Sequence, residues 1–184
     1  MATNNKINLN EILEEIFLVL TSKEKDVIVK RFSLNNKPRQ TLEKIGQQFS
    51  VTRERIRQIE KIALGKLRRT VKNTKLNVIT DLSNEILKEN GGVMVESRLI
   101  AEVLNKITSN QEIDKHIIQL GLSINIDMEQ VEKNNVLNPF WKFKNIDLSD
   151  VEKILSQGLK VLKREKTVME GQKLAALIKQ ELKG

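Results

Sequence analysis

The 184-residue chain contains no cysteine and no tyrosine, and only five phenylalanines and one tryptophan. Without cysteine it can form neither disulfide bridges nor thiolate metal sites, which suits the reducing cytosol. No apolar run approaches the roughly 18–20 residues that a membrane-spanning helix needs, and the N-terminus lacks the charged-then-apolar pattern of a signal peptide. We therefore expect a cytoplasmic protein without a membrane partner.

The sequence also lacks the residue groupings that catalysis or cofactor binding requires. No nucleophile, base and orienting group occur together, and no glycine-rich phosphate loop is present. The single histidine, His116, has no second metal ligand near it in sequence, and its helical spacing with Ile117 and Leu120 favours a place at the edge of a core. We expect no enzyme activity, no metal, no cofactor and no small-molecule substrate.

Charge is distributed unevenly along this basic chain, whose formal net charge is +8. From Arg39 to Lys72, ten basic and three acidic residues give +7, nearly the whole excess. A concentrated basic segment is typical of nucleic-acid binding. Residues 73–146 carry eight basic and ten acidic residues, a net charge of −2, so we expect them to add little to DNA affinity.

Capping and periodicity signals in the first 70 residues predict a helix-turn-helix. Apolar residues at helical spacing predict a helix over residues 7–20, and Thr21 with Glu24 forms a capping-box pattern that opens a second. Thr41 begins a short helix, and Thr52 begins a longer one with an apolar face. Gly46 suits the crowded crossing of these last two helices. The apolar face of the longer helix comprises Ile56, Ile59, Ala63 and Leu67.

Polar residues at the start of this longer helix favour DNA contact over a merely solvated surface. Arg53, Glu54, Arg57 and Gln58 share the flank opposite the apolar face. Basic residues at a helix N-terminus oppose the helix macrodipole, so a solvated face offers no stabilising reason for them. The spacing therefore predicts a helix that presents polar side chains to a polyanion.

The second half of the chain has the element order of a winged helix. A helix through Ile79 and Leu87 precedes the short apolar run "VMV", and two further helices follow. Strict alternation of Leu122, Ile124, Ile126 and Met128 predicts a strand, and "PFWKFKNI" predicts a second one. Trp141 could stack on a base, but we expect it in the core, because a small domain needs its few aromatic residues there.

Residues 148–184 form a third, helical piece. Its stretch "TVMEGQKLAALI" resembles "VMVESRLIAEVL" at an offset of 74 residues, which suggests a truncated second copy of the winged module. We therefore expect a mainly α protein with three parts. These are a helix-turn-helix domain at 1–72, a winged-helix-like α+β domain at 73–147, and the helical segment at 148–184.

The stretch "TLEKIGQQFSVTRERIRQIEKIALGKLRR" resembles the fourth conserved region of housekeeping-type bacterial sigma factors, and the resemblance extends over about residues 10–69. In that family the helix-turn-helix contacts the −35 promoter element. The resemblance implies double-stranded promoter DNA and bacterial RNA polymerase as partners. It also implies that Arg53, Glu54 and Gln58 reach base edges. It implies phosphate contacts at Arg31, Thr52 and Arg57. We expect further phosphate contacts at Arg39, Thr41, Arg55 and Lys61.

The chain also departs from the family pattern. Ile62 and Gly65 stand where the family usually has lysine and arginine, which puts activator contacts in doubt, and no aromatic-rich DNA-melting region is present. Residues 73–147 resemble, more loosely, the winged helix of the RNA polymerase delta subunit and related HARE modules. Two functions stay open: a sequence-specific DNA-binding transcription regulator, or an accessory module that binds the beta-subunit flap of RNA polymerase.

Overall fold

The computed structural model of the protein describes residues 9–107, 112–133 and 137–182, and it confirms a mainly helical fold with a small sheet. Residues 7 and 8 of the first predicted helix lie outside the described ranges. In chain order the elements are α1 (Leu9–Phe17), α2 (Ser22–Phe32), α3 (Leu42–Gln48), α4 (Arg53–Thr70), a 3₁₀ turn (Val71–Asn73), α5 (Asn77–Glu89), β1 (Val93–Val95), α6 (Glu96–Ile107), α7 (Glu112–Ile124), β2 (Met128–Val131), β3 (Phe140–Phe143), α8 (Leu148–Glu165) and α9 (Gly171–Glu181). None of these described helices is long and apolar enough to cross a membrane.

Threonine N-caps begin the helices of the helix-turn-helix, as the sequence predicts. The Thr21 hydroxyl accepts from the backbone N–H of Glu24, whose carboxylate accepts in return from the backbone N–H of Thr21, which completes the capping box. Thr41 and Thr52 accept in the same way from the third residues of α3 and α4. Each cap satisfies a backbone donor that the helix itself leaves unpaired.

Two hydrophobic clusters hold the first part of the chain together. A small cluster of Val27, Ile45, Ile56 and Ile59 packs α2, α3 and the first half of α4 against each other. The second half of α4 contributes Ala63 and Leu67 to a larger cluster, which also contains buried residues of α1, α2, α5, α6, α7 and the sheet. Helix α4 therefore links the helix-turn-helix to the main core.

The described residues up to Phe143 form one compact unit, and those from Lys144 onward form a second. The division at 143/144 lies close to the boundary expected before residue 148. Around residue 72, however, the chain does not leave the core, since Val71 and Leu76 are buried in the main cluster on either side. Helix α7 lies against α1, α2, α4 and α5. A domain boundary after residue 72 stays a prediction.

Residues 77–143 have the helix, strand, helix, helix, strand, strand order that the sequence predicts. The three strands form an antiparallel sheet in which β3 lies between β1 and β2. Trp141 on β3 is buried in the main cluster, as expected, and its indole Nε1 donates to the Glu96 carboxylate at 3.0 Å. Gln119 of α7 donates to the same carboxylate, so Glu96 ties α6 and α7 to the sheet.

The strand predicted from Leu122 to Met128 is wrong in its first half. Leu122 and Ile124 belong to the last turn of α7, and β2 begins only at Met128. Both residues are fully buried, as are Ile117 and Leu120 earlier in the helix. A helix that is covered on several sides can carry apolar residues at any spacing, so a short alternation within it does not indicate a strand.

The second unit consists of α8 and α9, which pack against each other. The Asp147 carboxylate accepts from the backbone N–H of Ser149 and begins α8. Lys166 follows the last residue of α8 as its C-cap and has a left-handed backbone conformation with φ of 51°. In the repeat expected from the sequence, Glu170, which precedes α9, is the counterpart of Glu96, the first residue of α6. The repeat stays a prediction.

Glu24 connects α2 to α4, and we expect this contact to make stability pH-dependent. Its carboxylate is mostly buried and accepts from Lys66 Nζ at 2.8 Å. Burial raises the pKa of Glu24, but the hydrogen bonds from Lys66 and Thr21 outweigh that effect, so its pKa is lowered overall. The contribution to stability is therefore present above the ordinary carboxyl range and is lost as pH falls through the lowered pKa.

Glu24→Gln should therefore lower the free energy of unfolding by about 1–2 kcal/mol at neutral pH, because it removes a charged hydrogen-bond acceptor from Lys66. Urea unfolding at several pH values measures the effect, and the difference from the parent protein should shrink toward acid pH. Glu43→Gln, at an exposed position of α3, is the control and should change stability by less than about 0.5 kcal/mol. A Glu24→Gln effect that does not change with pH would contradict the ion-pair explanation.

Candidate nucleic-acid interface

The first two turns of α4 carry a continuous exposed polar surface, which we call the α4 polar face. Ile56 and Ile59 are buried in the small cluster, and their burial fixes the rotation of the helix. Residues three and four apart share one side of a helix, so the opposite side of these turns collects the polar residues. The α4 polar face consists of Arg53, Glu54, Arg57, Gln58 and Lys61, all of them exposed.

Glu54 and Arg57 form a two-pronged ion pair on this face. Arg57 Nε and Nη2 each donate to one carboxylate oxygen of Glu54 at 2.7 Å. These hydrogen bonds lower the pKa of Glu54 below its ordinary value, so the side chain is a carboxylate at neutral pH and can only accept hydrogen bonds. Nearby, Arg55 Nη1 donates to Gln58 Oε1 at 3.1 Å, at the edge of the face.

Helices α3 and α4 each begin at a threonine N-cap. The side chains of Thr41 and Thr52 are exposed and each already accepts one backbone N–H as a cap. A hydroxyl that accepts can still donate its own hydrogen, and helix N-termini attract anions. Both threonines can therefore donate to a phosphate without losing their capping role. Arg39, which precedes α3, and Arg55 are exposed as well.

Arg31 differs from the other residues for which the sequence indicates phosphate contacts. Its Nε donates to Glu60 Oε1 at 3.0 Å and its Nη1 to the backbone carbonyl of Gln40 at 2.9 Å. The two side chains of the ion pair are only 16% and 15% exposed. The structure thus places Arg31 in a half-buried contact that joins α2 to α4 and to the loop before α3, apart from the exposed set.

The turn between α3 and α4 sets the position of the α4 polar face. Ser50 has a left-handed backbone conformation with φ of 53°, and the backbone N–H of Val51 donates to the carbonyl of Gly46 at 2.9 Å. A Cβ on Gly46 would lie 2.7 Å from the carbonyl oxygen of Val51. The close approach confirms that Gly46 occupies a crowded point, where the backbone that starts α4 passes over α3.

Residues 77–143, which we call the winged part, do not present the strand residue Lys142 as a phosphate contact. From the sequence alone, Lys142 and Lys144 alternate with the aromatic residues, which would allow a strand with a basic surface. In the structure Lys142 is buried, with 4% of its surface exposed, and it pairs with Glu129 of the neighbouring β2. The ammonium group is therefore directed to a carboxylate of the sheet.

Sequence patterns missed the polar residues that hold the helix-turn-helix in place. Glu60 binds Arg31, and Lys66 binds Glu24, across 29 and 42 positions of the chain. Lys30 also donates to Gln48 and lies over the ring of Phe49. The separations have no sequence period, so only the opposite charges in neighbouring helices could have suggested these pairs.

Comparison with known proteins matches this helix-turn-helix to one family. Residues 16–69 match the family model "Sigma-70, region 4". Residues 16–69 are therefore similar in sequence to sigma-70 region 4, and the structure folds them as a helix-turn-helix. The chain is 52% identical over 64 residues to RNA polymerase sigma factor SigA of Lactococcus lactis subsp. cremoris, and 45% identical over 74 residues to RNA polymerase sigma factor RpoD of Neisseria gonorrhoeae. It is 50% identical over 68 residues to sigma factor SigA1 of Synechococcus elongatus.

The similarity covers a limited part of each protein. It includes 35%, 40% and 37% of this chain, and 18%, 12% and 17% of the three relatives in the same order. The chain thus spans less than a fifth of the length of the curated relatives it matches. The sequence resemblance is confirmed for region 4, whereas the resemblance of residues 73–147 to the delta-subunit winged helix stays a prediction.

Proposed function

We propose that this protein is a DNA-binding transcription factor that contacts a −35-type promoter element through the major groove. The observation that carries the proposal is the α4 polar face, which lies at the start of the second helix of a region 4 helix-turn-helix. In such motifs the N-terminal residues of the second helix lie in the major groove. The function needs no catalysis and no cofactor, and its place is the cytosol.

Each residue type on the face has a matching chemical partner in DNA. Arg53 can donate two hydrogen bonds to the N7 and O6 acceptors of guanine, and Gln58 can pair with adenine. Glu54, an acceptor at neutral pH, fits a base amino group such as N4 of cytosine. Phosphates would be held by the exposed members of the predicted set, which are Arg39, Thr41, Thr52, Arg55, Arg57 and Lys61. Arg31 would contribute only through Nη2, because its Nε and Nη1 already donate to Glu60 and Gln40.

The Glu54–Arg57 pair supports a division of roles between the two residues. A carboxylate beside phosphates is repelled unless it has a donor, and in free protein Arg57 supplies two. When DNA binds, a phosphate can attract the Arg57 guanidinium while a base amino group donates to Glu54. Recognition of the correct base then replaces the ion pair, whereas a wrong base leaves the carboxylate without a donor.

Arg53→Ala and Glu54→Ala should lose discrimination between sequences more than they lose total binding. A well-placed base contact contributes about 1–3 kcal/mol of discrimination, which is roughly a 5- to 150-fold preference. Arg57→Ala should instead weaken binding to all duplexes and lower the slope of log K against log salt by about 1. The preferred sequence is first selected from randomised duplex DNA, and binding is then titrated on that duplex and on single-base variants across a salt series.

Gln47→Ala on α3 is a suitable control, because Gln47 is exposed but lies outside the predicted contact set. It should leave both the preferred sequence and the salt slope unchanged. If Arg53→Ala retains the parent protein's sequence preference in full, Arg53 does not contact a base. If Arg57→Ala leaves the salt slope unchanged, its phosphate role is wrong.

The second candidate is an accessory module that binds RNA polymerase, with DNA contact secondary. The relatives are named RNA polymerase sigma factors, and an exposed apolar pair precedes the helix-turn-helix. Leu18 and Val19, between α1 and α2, are 85% and 38% exposed. In the sigma-factor family that the sequence resembles, the helices upstream of the motif bind the beta-subunit flap of the polymerase. These residues are therefore our proposed polymerase contact.

A binding comparison separates the two candidates. A DNA-binding regulator should retain the selected duplex in the absence of polymerase, and an accessory module should retain it only when core polymerase is added. Leu18→Glu should reduce co-purification with polymerase, and polymerase-dependent duplex retention with it, in the second case. In the first case it should leave duplex binding unchanged. Strong duplex binding by the protein alone would exclude the purely accessory function.

A further inference from the structure

Helix α8 has a wider apolar surface than α9 covers. On one side Val161 is fully buried, and a Cβ added to Gly158 would lie 3.2 Å from Cδ1 of Ile178 in α9. A second row of leucines lies beside this contact. Three of them are spaced seven residues apart, and the fourth lies four residues after the middle one of the three. We call it the leucine stripe: Leu148, Leu155, Leu159 and Leu162.

The leucine stripe remains accessible in the described part of the chain. Leu159 is 49% exposed and Leu162 is 39% exposed, while Leu148 and Leu155 are half-buried. Apolar residues repeated every seven positions keep one seam of a helix directed at a partner helix. Over the 18 residues of α8 such a seam is about 27 Å long, which is enough for several layers of interlocking side chains.

The second unit is also small for an independently stable fold. Residues 144–184 make up roughly 40 residues, the size below which disulfides, metals or oligomerisation are usually needed. The chain contains no cysteine, and the described residues contain no metal-binding group of three or more His, Cys, Asp or Glu side chains. Helix α9 buries none of its residues. Packing against a second copy of the chain would supply the apolar burial that this unit lacks.

The distribution of charge along α8 makes the helix complementary to a second copy of itself. Asp150, Glu152 and Lys153 give its first half a net charge of −1, whereas Lys160, Lys163, Arg164 and Glu165 give its second half a net charge of +2. Two such helices in antiparallel orientation place the acidic half of each beside the basic half of the other. We propose that the protein forms a homodimer in which α8 packs antiparallel against α8 of a second copy through the leucine stripe.

We take the register of this dimer from the two central leucines of the stripe, Leu155 and Leu159. If the crossing is centred so that Leu155 of each copy packs against Leu159 of the other, Leu162 lies opposite Glu152. Lys163 is next to Leu162, so Glu152 of each copy then lies beside Lys163 of the other. Both side chains are exposed on α8 and border the stripe. A parallel dimer would instead bring like charges together, Glu152 to Glu152 and Lys163 to Lys163.

Analytical ultracentrifugation of the full chain over a wide concentration range tests the dimer. The parent protein should sediment as a dimer that dissociates on dilution. Leu159→Glu and Leu162→Glu should each raise the dissociation constant at least about tenfold, and the pair should give a monomer. Lys153→Gln, at an exposed position on the side of α8 away from the stripe, should leave the dimer intact. Circular dichroism confirms that each variant retains its helices.

Charge exchange tests the antiparallel orientation. Glu152→Lys and Lys163→Glu should each weaken the dimer, because each variant places like charges together across the interface. The double variant restores opposite charges and should return the dissociation constant to near the parent value. A parent protein that stays monomeric at high concentration, or a dimer that Leu159→Glu leaves unchanged, overturns the proposal. If the double variant dimerises no more tightly than the weaker of the two single variants, the antiparallel arrangement is overturned.

Discussion

Leu67→Ala should lower the free energy of unfolding by about 2–5 kcal/mol, as is typical when a buried leucine is truncated. Leu67 lies on α4, is only 1% exposed, and belongs to the core that also contains residues of α5, α6, α7 and the sheet. Because this core is shared, the loss should destabilise the winged part as well as the helix-turn-helix. Both parts should unfold in one transition that moves to lower urea concentration.

Trp141 provides the measurement, since it is the only tryptophan of the chain and lies on β3, far from Leu67 in sequence. Its fluorescence monitors the winged part, whereas far-ultraviolet circular dichroism monitors the helices. Ile62→Ala, at a 50% exposed position of α4, is the control and should change stability by less than about 0.5 kcal/mol. If the Trp141 transition stays in place while the helical signal shifts, residues 1–72 and 73–147 fold as separate domains.

Gly46→Ala should destabilise the helix-turn-helix by about 1–3 kcal/mol, the range found when atoms are forced into a closely packed site. The added Cβ would lie 2.7 Å from the carbonyl oxygen of Val51, and also 3.4 Å from the backbone nitrogen of Arg53. These are backbone atoms, so α3 and the start of α4 must move apart. Binding to the selected duplex should fall together with stability, because that movement displaces Arg53.

Gly65→Ala makes the same substitution on α4 and is the matched control for Gly46→Ala on α3. A Cβ at Gly65 would meet no atom within 4 Å, and alanine is better than glycine in a helix interior by about 1 kcal/mol. The control should therefore gain stability and keep duplex binding unchanged. Urea unfolding and duplex titration of the two variants give the result, and equal effects of both substitutions would show that crowding at Gly46 is unimportant.

Local signals in the sequence were sufficient for the helix-turn-helix. Threonine caps, the spacing of Ile56, Ile59 and Ala63, and a glycine at the crossing all act within a few residues, so a single stretch contains them. The same stretch was sufficient to relate residues 16–69 to sigma-70 region 4. The exposed residues of the α4 polar face follow directly, because burial of one side of a helix determines which residues lie on the other side.

The strand prediction failed where neighbours distant in sequence control burial. Leu122 and Ile124 alternate with other residues as in a strand, but α7 is surrounded by several elements and stays helical through Ile124. The sequence cannot report how many sides of a segment are covered. Likewise, "VKNTKLN" (residues 71–77) has the composition of a polar connector, yet Val71 and Leu76 within it are buried.

The sequence by itself determined the mainly helical fold, the winged order of the later elements and the concentration of positive charge between Arg39 and Lys72. Tertiary structure decided that the helix-turn-helix shares its core with the winged part, and that Arg31 and Lys142 are held by Glu60 and Glu129. The physical reason is the separation along the chain over which each kind of interaction acts. Caps and helical periods depend on neighbours in the chain, whereas burial and ion pairing depend on residues that only folding brings together.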